Sequence, residues 1–363
     1  MYIITNREIE KGRSGLKKFG KTPNAKGANE LRLMKATASG KSWKVSEVKD
    51  ELDTDTVKSL KTKYKLNIDI NAPWHGSLQV ACELFDQART EKKSILFFVH
   101  GYNNDVGDVL KAAAEVEKLY EVIVVPFTWP ANGGGAISGT ASYLSDKADA
   151  RASAGALNRA IGKIQGFHML LTAAHKTRLR DIADNKFSTN PEKANAHFVK
   201  LIEEDCPVTL NLLCHSMGNY VFKQTLKTSD NVTSALVFDN ICLVAADTNN
   251  KNHIEWVGQL DVRKRVNVVI NENDSALKFS RIKPGEEQLA RLGHYTRKLN
   301  SPNAHYIDVT DADNVGSEHT YFKGSSVAKN QALKEIFRLM FSGQPAEQLL
   351  KFYADNNSYR LEN

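Results

Sequence analysis

Residues 209–222, TLNLLCHSMGNYVF, constrain the fold of this chain more than any other stretch. Leu210, Leu212 and Leu213 read as a short buried strand, and Met217, Tyr220 and Val221 recur at helical spacing just beyond Ser216. No linker separates the two patterns, so Ser216 must occupy a very tight strand-to-helix turn. Such a turn lifts a serine hydroxyl above the C-terminal end of a sheet, beside backbone N–H groups and the positive end of a helix dipole. Gly218 fills one of the two small positions around the turn, and Cys214 stands at the other. The same residues also fit an ordinary serine capping a helix, so the context has to decide.

That context is a set of apolar runs with chemistry-bearing residues at their ends. Residues 94–101, SILFFVHG, and 121–130, EVIVVPFTWP, read as strands buried on both faces. Between them Asn103, Asn104 or Asp105 caps a helix with Val106, Val109, Leu110, Ala113, Val116 and Tyr120 on one stripe. Strand, helix, strand at this spacing is a βαβ unit, and a parallel sheet is expected. Further strands are expected at 240–246, ending at Asp247, at 265–270, followed by Asp274, and at 305–309, read as the last strand and followed by His319.

Elsewhere the signals are weaker. Residues 1–5 and 31–36 read as strands joined by a glycine- and lysine-rich loop, and 44–65 as loop plus helix. Residues 77–88 read as a helix capped by Ser77, and a closing helix through Leu333, Ile336, Phe337 and Met340 is capped by Ser325 or Ser326. The expectation is a single α/β domain over 1–363, a mostly parallel sheet flanked by helices. It carries basic N-terminal strands and loop at 1–66, a helical insertion at 131–206 and a second insertion at 281–303. The first insertion opens on Gly133–Gly135 and is too long for one crossover helix; it reads either as a lid or as surface helices.

Composition narrows the function classes. With 41% apolar and 25% charged residues the chain is an ordinary globular sequence. No run approaches the roughly 20 apolar residues of a membrane span. The first residues lack a signal-peptide pattern, so a cytoplasmic location is the expectation. Cys82, Cys206, Cys214 and Cys242 form no C-x-x-C pair and read as free thiols, with no metal or disulfide expected. The net charge of +7 is carried by residues 1–66, where sixteen basic residues face eight acidic ones. That segment is either a solvated lysine-rich face or one that approaches an acidic surface, and no nucleic-acid motif accompanies it.

Ser216, Asp274 and His319 each follow a separate strand, and parallel strands present their C-termini at one edge. They can therefore converge as nucleophile, orienting acid and base, a combination that activates a serine. Asp247, after the preceding strand, is the competing acid, and a turn-forming role is open to either carboxylate. His215 adjoins the serine and is expected to point away from it. An oxyanion would be held by the backbone N–H of Met217 and by that of Tyr102, with Asn103 nearby and Gly101 letting the backbone come close. Trp129 is either a pocket wall or core.

With these residues in view the chain resembles the α/β-hydrolase superfamily, in which the order is serine, acid, histidine. More narrowly it is similar to a bacterial family of hydrolases of unknown function. The matching motifs are Phe98 to Asn104, Trp129-Pro130, His215 to Asn219, Asn273 to Leu277 and the opening Thr5 to Arg7. Cys214, Ala246-Asp247 without an intervening proline, and Glu318 in place of a glycine depart from its pattern. The resemblance implies an esterase- or lipase-like serine hydrolase acting on a small-molecule or lipid ester without a cofactor. The alternatives are a phospholipase working at a membrane surface, a binding module that keeps the fold without turnover, and nucleic-acid binding through the basic segment, which predicts steep salt dependence.

Overall fold

The computed structural model describes residues 1–40, 42–131, 139–205, 208–228, 236–281 and 289–362. Gly133–Gly135, Cys206 and part of the 281–303 segment lie outside the described residues. The chain divides into two compact units, one comprising 1–47, 94–161 and 209–363, the other 48–93 and 162–208.

The chain opens with β1 (Tyr2–Thr5), β2 (Arg7–Ile9), β3 (Phe19–Pro23), β4 (Arg32–Ser39) and β5 (Ser42–Glu47). Helices α1 (Thr54–Tyr64) and α2 (Gly76–Glu91) precede β6 (Ile95–Val99), α3 (Val106–Tyr120) and β7 (Ile123–Thr128). Three helices follow, α4 (Gly139–Ala152), α5 (Ala154–Lys186) and α6 (Pro191–Glu204). Then come β8 (Leu210–His215), α7 (Gly218–Lys227), β9 (Asn240–Val244), α8 (Ile254–Val257), β10 (Arg265–Ile270), α9 (Ser275–Ser280) and β11 (Ala304–Asp308). The chain finishes with α10 (Ser325–Lys329), α11 (Gln331–Phe341), β12 (Lys351–Tyr353) and β13 (Ser358–Arg360).

In the first unit, eleven strands among the described residues form one sheet in the order β12-β13-β11-β10-β9-β8-β6-β7-β1-β4-β5. From β13 to β1 the neighbours are parallel. Only the edges are antiparallel. The strands β6 to β9 are buried along their whole length, as their unbroken apolar runs require. From β6 the chain moves to β7 on one side, and from β8 it moves through β9, β10 and β11 on the other. The order thus reverses between β6 and β8, and the crevice beyond the carboxyl ends of such a pair is where open α/β sheets bind ligands.

The main core packs α3 and α11 against this sheet, with Leu96, Phe98, Val116, Tyr120, Leu213, Val244, Phe322, Phe337 and Phe341 all buried. The Tyr120 hydroxyl donates to the Phe322 carbonyl at 2.6 Å, pinning the segment that follows His319. In the second unit Val57, Leu66, Leu78, Cys82, Leu171 and Ala174 form a separate core. There Arg89 holds Asp205 with two hydrogen bonds of 2.5 and 3.2 Å.

Several local expectations are corrected. The N-terminal glycine-rich segment contains the β2–β3 pair. Residues 44–47 belong to β5, where Trp43 and Val45 turn inward while the lysine and serines face out, the period-two pattern of a half-buried strand. Helix α2 begins at Gly76 with His75 as its N-cap, so Ser77 lies inside it. Glycine is required there, because a Cβ would stand 2.3 Å from the Lys49 carbonyl oxygen. The closing helix is two helices. Gly324 precedes α10, and Asn330 caps α11 by accepting from the Leu333 N–H at 2.9 Å, so neither Ser325 nor Ser326 is the cap. The strand at 305–309 is not the last, since β12 and β13 extend the sheet beyond it. Each has three residues, too few to establish a period in sequence.

Cys82, Cys214 and Cys242 are buried free thiols, and burial pushes those of Cys82 and Cys242 up to about 12. Among the described residues no helix is long and apolar enough to cross a membrane.

Candidate active site

Strand β8 delivers Ser216 into a left-handed conformation, φ 53°, and α7 starts two residues later. A non-glycine residue rarely adopts this region, and the surrounding hydrogen bonds hold it there. The Ser216 N–H donates to the Val244 carbonyl at 3.1 Å, and the Ser216 carbonyl accepts from the N–H groups of Asn219 and Asp247 at 3.1 and 3.2 Å. The Asn219 amide donates to the carbonyls of Cys214, Ser216 and Val244 at 3.0, 3.1 and 3.2 Å, joining both ends of the turn to β9. A Cβ on Gly218 would stand 2.4 Å from the Val99 oxygen, so glycine is what lets α7 pack against β6. Cys214, the departure from the small-residue pattern, is fully buried within β8 and fits without a glycine.

On the other side of the switch point, the loop after β6 comes against the serine. A Cβ on Gly101 would lie 2.7 Å from the Ser216 Cβ and 3.2 Å from its Oγ. Gly101→Ala is therefore expected to displace the serine and, where Ser216 is the reacting group, to lower kcat/KM by about 10²-fold, the cost of misplacing such a group by about 1 Å. Parallel measurement of kcat/KM and the melting temperature checks this; full activity in a folded variant would contradict it.

His100 fixes the conformation of this loop. Its Nε2 accepts from the Trp129 backbone N–H at 3.2 Å, so the ring proton is on Nδ1, which donates to the Gly101 carbonyl at 2.9 Å. In a trans peptide the carbonyl and the following N–H point in opposite directions. Anchoring the Gly101 oxygen at His100 thus turns the Tyr102 N–H the other way. Asn103 takes φ 57°, a conformation asparagine tolerates, and its N–H donates to the buried Asp146 carboxylate at 3.2 Å.

Asp274 follows β10 and is completely buried. Its Oδ1 accepts from the Leu277 N–H at 3.0 Å, capping α9, while Oδ2 lies 2.7 Å from His319 Nδ1. The loop bearing His319 is tied to the end of β10 by Asn271, whose amide donates to the carbonyls of Gly316 and Glu318. Glu318 is exposed, so the residue before the histidine need not be glycine. His215 Nε2 donates to the His319 carbonyl at 3.1 Å, with the two rings 4.7 Å apart. It thus lies beside His319.

A cavity of about 370 Å³ joins these groups, lined by Gly101, Tyr102, Asn103, His215, Ser216, Asp247 and His319 among others. Phe98, Leu277, Phe279 and Phe322 supply apolar wall. Trp129 stands one layer back, fully buried, stacked on His100 at 5.3 Å and donating its indole N–H to the His100 carbonyl. Met217 is buried at the start of α7 and its side chain is not part of the wall. Asp247 makes no bond to His319; it accepts from Ser280 and Tyr143 and pairs with Arg291. Tyr143, Ser280 and Arg291 carried no sequence signal, because two sit in helical segments without a motif and the third in a charged stretch that reads as surface.

Burial sets the charge of two histidines at the site. It lowers His100 to about 3 and His215 well below 6.5, so both are neutral in the folded protein. In the unfolded chain they titrate near pH 6.5, so the unfolded state binds more protons below that value. Stability is full above about pH 6.5 and falls as the pH drops below it, for His100 by about 1.4 kcal/mol per pH unit down toward 3, and in the same direction for His215. Ordinary carboxylates titrate below about pH 5. The expected result is a falling melting temperature between pH 6.5 and 5; a flat profile there would contradict neutral burial.

Comparison with known proteins gives one positive result. Residues 80–175 and 163–341 match the family described as alpha/beta hydrolase of unknown function (DUF900). No curated protein and no solved structure matches the chain. The matched segments span well over half of the sequence and include the elbow, the switch-point loop and the acid–histidine pair, and the chain belongs to this family of alpha/beta hydrolases.

Proposed function

We propose that the protein is a serine hydrolase that cleaves a carboxylic ester or related acyl bond through an acyl-enzyme. The observation that carries this reading is the 2.7 Å contact of His319 Nδ1 with the buried Asp274, at a cavity that also contains Ser216 on its left-handed turn. Asp274 holds the His319 proton on Nδ1, which leaves Nε2 as the base. His319 takes the hydroxyl proton as Ser216 Oγ attacks the carbonyl carbon, the hydrogen bond between them forming when substrate is bound. The tetrahedral oxyanion is met by the N–H of Met217, one of the groups a helix start leaves without an intrahelical partner, and by the N–H of Tyr102. Collapse expels the alcohol, which receives the proton from His319, and water attacks the acyl-enzyme by the same route.

The test is intact-mass analysis after treatment with a fluorophosphonate. One adduct on the wild type, absent from both Ser216→Ala and His319→Ala, supports the reading. No adduct on folded wild-type protein overturns it.

A further inference from the structure

Asp247 and Asp274 both follow strands at this edge of the sheet, and of the two only Asp274 is bonded to the histidine. Asp247 is 4% exposed and its N–H donates to the Ser216 carbonyl, so it stands immediately beside the serine. It lines the same cavity as Ser216 and His319. Its Oδ1 accepts from Ser280 Oγ at 2.7 Å and forms an ion pair with Arg291, whose Nε lies 3.1 Å away and donates to Ser280 Oγ, and its Oδ2 accepts from the Tyr143 hydroxyl at 3.0 Å. Arg291 is itself 1% exposed and also donates to the Ser280 carbonyl at 3.1 Å. This is a carboxylate fixed in place by its neighbours, with a buried guanidinium 3.1 Å away.

A carboxylate offers about four acceptor positions, two on each oxygen. Among the described residues Oδ1 is occupied by the Ser280 hydroxyl and the Arg291 ion pair, whereas Oδ2 accepts only from Tyr143 and keeps a position open. We infer that Asp247 is a specificity-determining residue that accepts a hydrogen bond from an O–H or N–H of the substrate. This rests on the serine hydrolase reading and refines it. The favoured esters carry a hydroxyl or amine close to the scissile carbonyl, on the acyl or the alcohol side, and plain alkyl esters are poorer substrates. A plain ester would leave the carboxylate facing apolar chain with a position unfilled, and sites built to bond a substrate hydroxyl reject analogues that lack it.

Two matched pairs of esters test this: methyl 3-hydroxybutyrate against methyl butyrate, and glycerol monobutyrate against propyl butyrate. In the wild type at least one pair is expected to favour the hydroxylated member by about 10- to 100-fold in kcat/KM, as for a hydrogen bond to a charged group. Ratios near one in both pairs, on protein that still forms the fluorophosphonate adduct, overturn the inference while leaving the serine assignment intact. Protein that forms no adduct overturns the assignment itself.

Asp247→Asn adds a directional test. Ser280 donates to the Oδ1 position and the Arg291 guanidinium lies against it, so the amide oxygen settles there and the NH2 group replaces Oδ2. The site would then present a donor in place of an acceptor, and the preference should vanish or reverse; an unchanged ratio counts against Asp247. Should that variant not fold, Tyr143→Phe keeps the Arg291 pair and opens a second position on Oδ2, so the ratio is expected to rise. A ratio that does not rise overturns the inference.

Discussion

Ser216→Ala is expected to abolish turnover, by about 10⁶-fold in kcat if the serine, histidine and acid act as a unit. The melting temperature should be nearly unchanged. Alanine keeps the Cβ that Gly101 packs against, and the backbone bonds that hold φ 53° do not involve the hydroxyl. Among the described residues the Ser216 hydroxyl makes no hydrogen bond, so its removal orphans no partner. Activity and melting curves measured on one preparation separate a lost nucleophile from a lost fold. A retained rate would remove Ser216 from the mechanism and leave the elbow as a structural turn.

The elbow was legible because its physical requirements are local. An apolar run, a serine and an immediate helix pattern leave one conformation for the turn, and Gly218 is forced by a backbone oxygen 2.4 Å from where its Cβ would stand. The parallel order was legible for a similar reason, since unbroken apolar runs such as 95–99 must be covered on both faces. What could not be read depends on distant partners. Arg291 looks like surface charge in sequence, and only the fold shows it buried against Asp247 and Ser280. Asp274 and Asp247 are each a carboxylate just past a strand, so position alone allows either, although Asp274 is the expected acid. The difference is where the loop of His319 lands, and that is set by Asn271 reaching Gly316 and Glu318 across 45 and 47 residues.

That difference yields the second large effect. Asp274→Asn is expected to lower kcat by about 10⁴-fold with little change in melting temperature. The Leu277 N–H needs an acceptor, so the amide oxygen of the variant should keep the capping position now held by Oδ1, 3.0 Å away. Its NH2 group then faces His319 Nδ1, which can no longer donate and has to accept. The imidazole proton moves to Nε2, and the histidine cannot take the proton of Ser216. Asp247→Asn should show the opposite balance. It removes the carboxylate charge 3.1 Å from the Nε of Arg291, itself 1% exposed, and breaking one side of such a buried pair costs up to about 3–5 kcal/mol in stability. Measuring kcat and melting temperature for both variants resolves the two roles. If Asp247→Asn proves catalytically dead but stable while Asp274→Asn remains active, the orienting acid is Asp247, and the 2.7 Å contact of Asp274 with His319 serves only to hold the loop.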